Sequence, residues 1–116
     1  MLPKSMRLKK SEVEFLLDKG LKQRSNFFSI IFRKNNKSSC RFCVVVGKKL
    51  QLKPAQRTTL RRKIYEAIRK NLNQISNANL DAAFIPYTQI NKVTPAEIEK
   101  EITYILTNFK KWAKTY

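Results

Sequence analysis

The segment that decides the fold spans residues 57–70 and reads RTTLRRKIYEAIRK. Its apolar residues recur at spacings of three and four: Leu60, Ile64, Ala67 and Ile68. This spacing predicts an amphipathic helix with one buried face. Pro54 fits the first turn of such a helix, which is predicted to run to about Leu72. The apolar face is expected to dock on a sheet, because the segments on either side read as strands.

Three strands are predicted around this helix. Residues 27–32 are rich in aromatic and β-branched side chains that alternate with a period of two, as in a strand. Residues 41–46 form the second strand, and it is expected to be antiparallel to the first because the polar connection, residues 34–39, is short. Residues 81–86, DAAFIP, read as a third and largely buried strand.

Two further helices are predicted at the ends of the chain. Ser11 and Glu14 match a capping box and Gly20 supplies a stop, which predicts a short helix over residues 11–19 with apolar side chains that include Phe15. The run TPAE at residues 94–97 combines a capping box with proline at the first helical position. An apolar stripe follows it: Ile98, Ile102, Ile105, Leu106 and Phe109. The predicted order is α-β-β-α-β-α, an α+β fold with three helices layered on a small sheet, in one domain over residues 1–116.

The net charge of the chain indicates what kind of molecule it binds. The chain carries 25 Lys and Arg against 8 Asp and Glu, a net charge of +17. Residues 1–72 hold twenty of the basic and four of the acidic side chains, so that half is at +16 while the rest is nearly neutral. A one-sided basic surface of this size predicts binding to a nucleic acid.

Other classes of protein are disfavoured. The longest apolar runs fall far short of the roughly 20 residues that span a bilayer. The basic start of the chain leads into no apolar stretch, so no signal peptide is expected, and the expected compartment is the cytoplasm. No membrane partner is expected.

The protein itself is not expected to catalyse a reaction, so no catalytic residue is assigned. The chain contains no histidine, which rules out Ser-His-Asp and Cys-His arrangements. It has no Gly-rich phosphate loop. Cys40 and Cys43 form a lone C-x-x-C without the further ligands that zinc needs, so no metal site is predicted. They are expected to be reduced thiols on opposite faces of a strand, with Cys43 in a core.

Candidate RNA-binding residues lie on the polar face of the central helix: Arg57, Thr58, Arg61, Arg62, Tyr65 and Arg69. Guanidinium groups bind phosphate oxygens, hydroxyl groups add donors, and the tyrosine is expected to stack on a base. The alternative is a solvated face paired with acids, but Glu66 is the sole acid in the segment.

Further candidates flank the helix. Lys48, Lys49 and Lys53 add cations before it, and residues 1–10, with Arg7 and Lys9, are expected to form a mobile phosphate-binding arm. Phe27 or Ile31 is expected to line a groove for unpaired bases, with a core position as the alternative.

Several motifs occur together in a fixed order: RLKK at residues 7–10 followed by Gly20, RFCVVVGKK at 41–49, the basic helix from Arg57, a strand over 81–87 and a capped C-terminal helix. In this order and spacing the chain resembles the bacterial ribonuclease P protein family over almost its whole length. Departures from the family pattern are also present. Thr58 and Thr59 replace an Asn and an Arg, Gly47 stands where the family usually has Ser, the Gly after the paired lysines is missing, and the strand Arg near Tyr87 is absent.

The resemblance implies a ribosomal-protein-like domain with a mixed sheet and a left-handed β-α-β crossover. It implies the protein subunit of a ribonucleoprotein in which the RNA subunit, with magnesium, removes the 5′ leader of precursor tRNA. Arg57, Arg61 and Arg62 would then meet the catalytic RNA. Lys48, Lys49 and the sheet face with Phe28 or Ile31 would line the leader cleft, with Phe15 as the remaining aromatic residue of the first helix. One protein per RNA is expected.

Two other functions stay open at this point. A ribosomal or other structural-RNA-binding protein of similar topology would carry the same charge pattern. A cationic protein that acts on DNA or membranes fits less well, because the charge lies on one half of a folded domain rather than on a freely amphipathic helix.

Overall fold

The computed structural model describes residues 4–37, 40–72, 79–87, 90, 92–109 and 111–112. Within them the chain forms three α-helices and four β-strands. In chain order these are α1 (Lys10–Lys19), β1 (Leu21–Arg24), β2 (Phe28–Lys34), β3 (Arg41–Val44), α2 (Pro54–Lys70), β4 (Leu80–Pro86) and α3 (Pro95–Thr107). Single turns of 3-10 helix occur at Lys4–Met6 and Lys48–Leu50. The end of the predicted loop at residues 34–39 lies outside the described residues.

The four strands form one mixed sheet in the order β1-β2-β4-β3. β2 is antiparallel to both β1 and β4, and β3 is parallel to β4 at the edge. β2 and β3 therefore run in opposite directions, as expected, but they are not neighbours because β4 lies between them. β4 takes the centre because its side chains are buried on both faces, at Ala82 and Phe84 on one and Ala83 on the other.

α2 connects β3 to the neighbouring parallel strand β4, which gives the expected β-α-β crossover. The left-handedness of this crossover stays a prediction from the family resemblance. β1 is a strand that the sequence did not predict. Its residues are LKQR, mostly exposed at the sheet edge, and they lack the apolar alternation by which strands are found.

The main core lies between one face of the sheet and helices α2 and α3. The predicted stripes of both helices are buried there. Phenylalanine rings from the strands and from the residues after α3 pack together, with Phe42 stacked on Phe109 at 5.9 Å between centroids and Phe84 within 6.4 Å of Phe28, Phe42 and Phe109. This aromatic packing fixes the two helices on the sheet.

Helix α1 packs on the opposite face of the sheet. Its one buried residue is Leu16, which contacts Cys43 and Ala83. Gly20 follows the helix where β2 passes close by, since a Cβ there would lie 2.5 Å from the Ile31 side chain and 2.6 Å from the Leu16 carbonyl oxygen. Glycine is therefore required by this approach of helix and strand.

The predicted capping box of α1 at Ser11 and Glu14 is wrong. The helix begins at Lys10, and the Glu12 carboxylate accepts a hydrogen bond of 2.8 Å from the Lys9 backbone N–H. In α3 the predicted box is confirmed, because the Thr94 hydroxyl accepts from the Glu97 N–H at 3.2 Å. None of the described helices is both long and apolar enough to cross a bilayer.

Candidate nucleic-acid interface

The N-terminal half of α2 presents unpaired positive charge. Arg61, Arg62 and Lys63 are exposed and Arg57 is partly exposed. None of these four has an acidic partner within 4.0 Å in the part of the chain that the structure describes. The apolar stripe on the other side of the helix holds this surface outward. These side chains are therefore available to bind phosphate.

The C-terminal half of α2 is different, because its cations are paired. The Arg69 guanidinium donates to Glu66 at 2.9 Å, and this hydrogen bond lowers the pKa of Glu66 to about 2. Lys70 lies 3.6 Å from Glu99 of α3. Arg69, one of the predicted RNA-binding residues, thus has its charge compensated within the protein.

Thr58, predicted to donate to phosphate, donates instead along its own helix. Its hydroxyl bonds to the Pro54 carbonyl at 3.1 Å, and that of Thr59 bonds to the Ala55 carbonyl at 3.0 Å. Each hydroxyl hydrogen is used in this bond, so each oxygen can only accept a further hydrogen bond. A phosphate oxygen is itself an acceptor and therefore cannot bind there. The two threonines that replace the family's Asn and Arg therefore do not extend the set of donors.

Tyr65 does not stand free to stack on a base. Its ring is half-buried against the main core, and its hydroxyl accepts a 3.1 Å hydrogen bond from the Val44 backbone N–H. Burial raises the pKa of this phenol, while the nearby charges of Arg61 and Arg7 act in the opposite sense. The phenol oxygen therefore serves as the acceptor for a backbone N–H at the outer edge of β3.

The N-terminal segment is tied to the same edge. Arg7 forms a parallel bridge with Phe42, and the Leu8 N–H donates to the Phe42 carbonyl at 3.2 Å. The predicted mobile arm is therefore wrong for the described residues from Arg7 onward, because the unpaired edge of β3 provides a partner for their backbone. Residues 1–3 of that arm lie outside the described residues. Arg7 is brought beside Tyr65 and Arg61, so it extends the basic surface of α2.

A groove of about 790 Å³ opens on the sheet face that carries α1. The strand register sets its floor: Ser29 lies between Arg24 of β1 and Ile85 of β4, and Ile31 lies opposite Lys22. Gly47, Lys48 and Lys49 form part of its wall. An apolar floor with cations along the rim suits a single strand of nucleic acid, with bases inside and phosphates outside.

Of the predicted cleft residues, Ile31, Lys48 and Lys49 line this groove. Phe28 does not, and its assignment to the exposed sheet face is wrong. It is fully buried on the opposite face, against Phe84, because successive strand residues point to opposite sides. The remaining predicted phosphate ligands, Lys9 and Lys53, are exposed at the N-caps of α1 and α2.

Phe15 lies outside the groove as well. It lines a separate depression of about 550 Å³, where the Arg33 guanidinium lies 4.7 Å from the centre of its ring.

At one side of this depression the Arg41 side chain links β3 to β4 and to α1. It donates to Asp81 of β4 at 2.7 and 2.9 Å and forms an ion pair with Glu12 of α1. This cluster holds α1 against the sheet.

Sequence reasoning missed most residues of the groove, among them Lys22, Arg24, Ser29, Ile85 and Tyr87. Arg24 donates to the Tyr87 hydroxyl at 2.7 Å and lies 5.3 Å from the centre of its ring. The spacing of Lys22 and Arg24, two residues apart, was the available signal, since two residues at that spacing share one face of a strand.

The thiols and carboxylates of the described residues form no further site. Cys40 and Cys43 are not joined in a disulfide, and they are buried on opposite faces of the sheet. Burial raises the pKa of Cys40 to about 11 and of Cys43 to about 12, which keeps both protonated. No group of three His, Cys, Asp or Glu residues close enough to bind a metal ion occurs in that part of the chain.

Fold and surface together define a small α+β RNA-binding protein with a basic helix and a basic groove. The Ribonuclease P family model matches residues 2–110, and the chain belongs to the ribonuclease P protein family. No curated protein matches the chain.

Solved structures share the fold. The ribonuclease P protein from Thermotoga maritima is 23% identical, with a TM-score of 0.78 over 88% of this chain and 96% of that one. A Staphylococcus aureus ribonuclease P protein mutant, described as defective in mRNA degradation, is 21% identical, with a TM-score of 0.77 over 96% and 90%. Another structure of the Staphylococcus aureus protein is 25% identical, with a TM-score of 0.65 over 100% and 95%.

Membership of this family gives the chain its role. It is a protein subunit of ribonuclease P, an endoribonuclease of tRNA processing, and it works in complex with ribonuclease P RNA and precursor tRNA. No observation favours a ribosomal protein.

Proposed function

We propose that two surfaces divide the work of RNA binding. The basic surface, defined as Arg7, Arg57, Arg61, Arg62 and Lys63, binds the catalytic RNA. The groove on the α1 side of the sheet holds the 5′ leader of precursor tRNA. The observation that carries the proposal is the cluster of exposed cations on α2 that have no acidic partner among the described residues. Unpaired arginines on a rigid helix are suited to a phosphate backbone.

The groove fits the leader on chemical grounds. Ile31 and Ile85 give its floor apolar area, and Lys22, Lys48 and Lys49 place cations around it. A duplex presents its phosphates outside and its bases stacked inside, so an apolar floor is of use only to unpaired nucleotides. The leader is the single-stranded part of the substrate that the family resemblance implies.

We assign cleavage itself to the RNA subunit, with magnesium bound mainly by that RNA. The protein supplies no histidine for proton transfer. Its RNA-facing surfaces carry lysine and arginine, which repel a divalent cation, whereas phosphate oxygens attract one. We further propose one protein per RNA, a single domain over residues 1–116 and a cytoplasmic location.

The test is cleavage of a precursor tRNA by the cognate ribonuclease P RNA at low magnesium, with and without the protein. We expect the wild-type protein to stimulate cleavage and the variant Arg57→Ala/Arg61→Ala/Arg62→Ala to lose most of that stimulation. The matched control is Arg69→Ala/Lys70→Ala, which removes two cations from the same helix where acids already pair them. This control is expected to keep most of the stimulation.

Binding to the isolated RNA gives a second readout. Each phosphate contact contributes roughly 0.7 to 0.9 to the slope of log affinity against log salt, so the triple variant should lower that slope by about 2 to 3. The control should lower it by less than 1. Equal losses in the two variants would contradict the assignment of the basic surface, and no stimulation by the wild-type protein would contradict the role in leader removal.

A further inference from the structure

A groove on the other side of the sheet lies between the start of α2 and the start of α3. It encloses about 380 Å³, a size typical of ligand sites. Leu60, Ile90 and Ile98 are its buried residues and form the floor, while Leu52 and Val93 are partly exposed at its sides. None of the described residues that line it is acidic. This recess, the α2–α3 groove, therefore offers apolar area without negative charge.

The basic surface borders this groove directly. Lys63 belongs to the basic surface and also lines the groove. Arg57 and Arg61 each follow a groove residue, Gln56 and Leu60, by one position, so they lie about 100° further round the helix. An RNA backbone bound to these cations therefore passes along the rim of the groove, where a base turned toward the protein meets its apolar floor.

Two polar side chains of the groove match the edge of a base. The hydroxyl hydrogen of Thr59 is used along the helix, so its oxygen is an acceptor. Gln56 lies three residues earlier on the same face and accepts from the Lys53 N–H at 2.9 Å, which leaves its amide N–H groups to donate. The edge of an unpaired nucleobase carries donors as well as acceptors, whereas a phosphate has acceptors alone.

We propose that the α2–α3 groove receives one unpaired base of the catalytic RNA. The base lies on Leu60 and Ile98, its edge meets Thr59 and Gln56, and Lys63 binds the adjacent phosphate. An apolar side chain of a protein partner would fill the same recess without using these polar groups or the bordering cations, so RNA is the better match. The proposal rests on the proposed binding of the catalytic RNA to the basic surface, and it adds a base contact beside it.

The experiment uses the whole protein and its cognate ribonuclease P RNA without precursor tRNA, so that no leader is present. Dimethyl sulfate and a carbodiimide modify the edges of unpaired bases, and hydroxyl radicals report on the backbone. We expect the wild-type protein to protect one unpaired base that lies next to the backbone footprint of the basic surface. That footprint should weaken in the variant Arg57→Ala/Arg61→Ala/Arg62→Ala.

Two variants test the groove itself. Ala55 is an exposed residue that lines it, so Ala55→Phe should fill the recess, abolish the base protection and weaken RNA binding about fivefold to tenfold, while the backbone footprint remains. Thr59→Val keeps the size of the side chain but removes the acceptor, and it should weaken binding about threefold.

Thr58→Val is the matched control for the threonine variant. Thr58 makes the same hydrogen bond to the carbonyl four residues earlier, but it does not line the groove. This control should keep both the affinity and the base protection of the wild type. Thermal unfolding checks that each variant is folded, and Thr59→Val decides the question if the larger side chain of Ala55→Phe prevents folding.

Three results would overturn the proposal. One is base protection that persists in Thr59→Val and in a folded Ala55→Phe. The second is an equal loss in Thr59→Val and Thr58→Val, since that would assign the effect to the helix and not to the groove. The third is a wild-type protein that protects the RNA backbone but no base. If the triple arginine variant leaves the backbone footprint unchanged, the proposed function fails first and the base contact fails with it.

Discussion

Gln51 adopts a backbone conformation that ordinary side chains avoid. Its φ is 54° and its ψ is 32°, the left-handed region, and it ends the 3-10 turn of Lys48–Leu50 by donating its N–H to the Lys48 carbonyl at 3.0 Å. It is the one non-glycine residue with positive φ in the described ranges. The family pattern has a glycine after the paired lysines, and this turn explains why glycine suits that place.

Replacing Gln51 with glycine should therefore stabilise the protein. The left-handed conformation costs a residue with a Cβ atom about 1 to 2 kcal/mol, and glycine avoids this cost. Glycine also makes the unfolded chain more flexible, which lowers stability by about 0.4 to 1 kcal/mol and offsets part of the gain. We expect Gln51→Gly to raise the free energy of unfolding by about 0.5 kcal/mol, measured by urea denaturation. Gln51→Ala keeps the Cβ atom and should give no gain. A loss of stability in the glycine variant would argue against this turn.

Glu12 links the start of α1 to the sheet, and its ionisation should appear in the pH dependence of stability. Its pKa lies below the usual 4.5, chiefly because the Lys9 backbone N–H donates to it and also because Arg41 does, although burial acts in the opposite sense. A lowered folded-state pKa means that the carboxylate contributes stability above about pH 4.5, and that this contribution is lost as the pH falls through the folded-state value.

We therefore expect the free energy of unfolding of Glu12→Gln to fall less steeply than that of the wild type as the pH drops from 5 to 3. Urea denaturation at a series of pH values measures this slope. Glu14→Gln, an exposed position on the same helix, is the matched control and should follow the wild-type curve. Parallel curves for Glu12→Gln and the wild type would show that the carboxylate is not held by these partners in solution.

At the scale of elements, α2 is docked on the edge strand β3 by a hydrogen bond as well as by apolar packing. Tyr65→Phe keeps the ring in the core but removes the acceptor for the Val44 N–H. Leaving this partly buried donor unpaired should lower the free energy of unfolding by about 1 kcal/mol. Hydrogen exchange of the Val44 amide should accelerate, because its protection depends on the phenol.

Tyr104 provides the control for that substitution. It lies on α3 and is 66% exposed, so Tyr104→Phe should change neither stability nor the exchange of Val44. If both phenylalanine variants behave alike, the hydroxyl of Tyr65 contributes nothing to the docking of α2, and its ring is held by packing alone.

At the scale of the whole molecule, the net charge of +17 should make salt act in opposite directions on folding and on RNA binding. Cations crowded on one half of a compact domain repel one another, and salt screens that repulsion over a Debye length of about 10 Å at 0.1 M. The melting temperature of the free protein should therefore rise as sodium chloride is increased from about 0.05 to 0.5 M. Affinity for the catalytic RNA should fall over the same range, because binding releases counterions. A melting temperature that falls with salt would show that the ion pairs at Arg41 and Arg69 outweigh the repulsion.

Residue spacing alone is enough to predict the elements whose pattern is local. The stripes of α2 and α3 and the alternation of β2 are read from residue spacing, because burial on one side of a helix or strand imposes a period of 3.6 or 2. The concentration of charge before residue 73 likewise required no structure. These features indicated the fold class and the basic helix, and the order of motifs indicated the family.

Which strands are neighbours, and which face of the sheet is covered, depends on tertiary packing. Spacing shows that Phe28 and Ile31 lie on opposite faces of β2, but it does not show which face receives α2 and α3, so Phe28 was assigned to the groove and is in the core. β1 was missed because an edge strand with polar side chains has no apolar period. The groove itself joins β1, β2, β4 and the turn after β3, and residues so distant in sequence share a surface only after β4 has inserted between β2 and β3. That insertion depends on burying both faces of one strand, which is a property of the packed molecule and not of any segment of it.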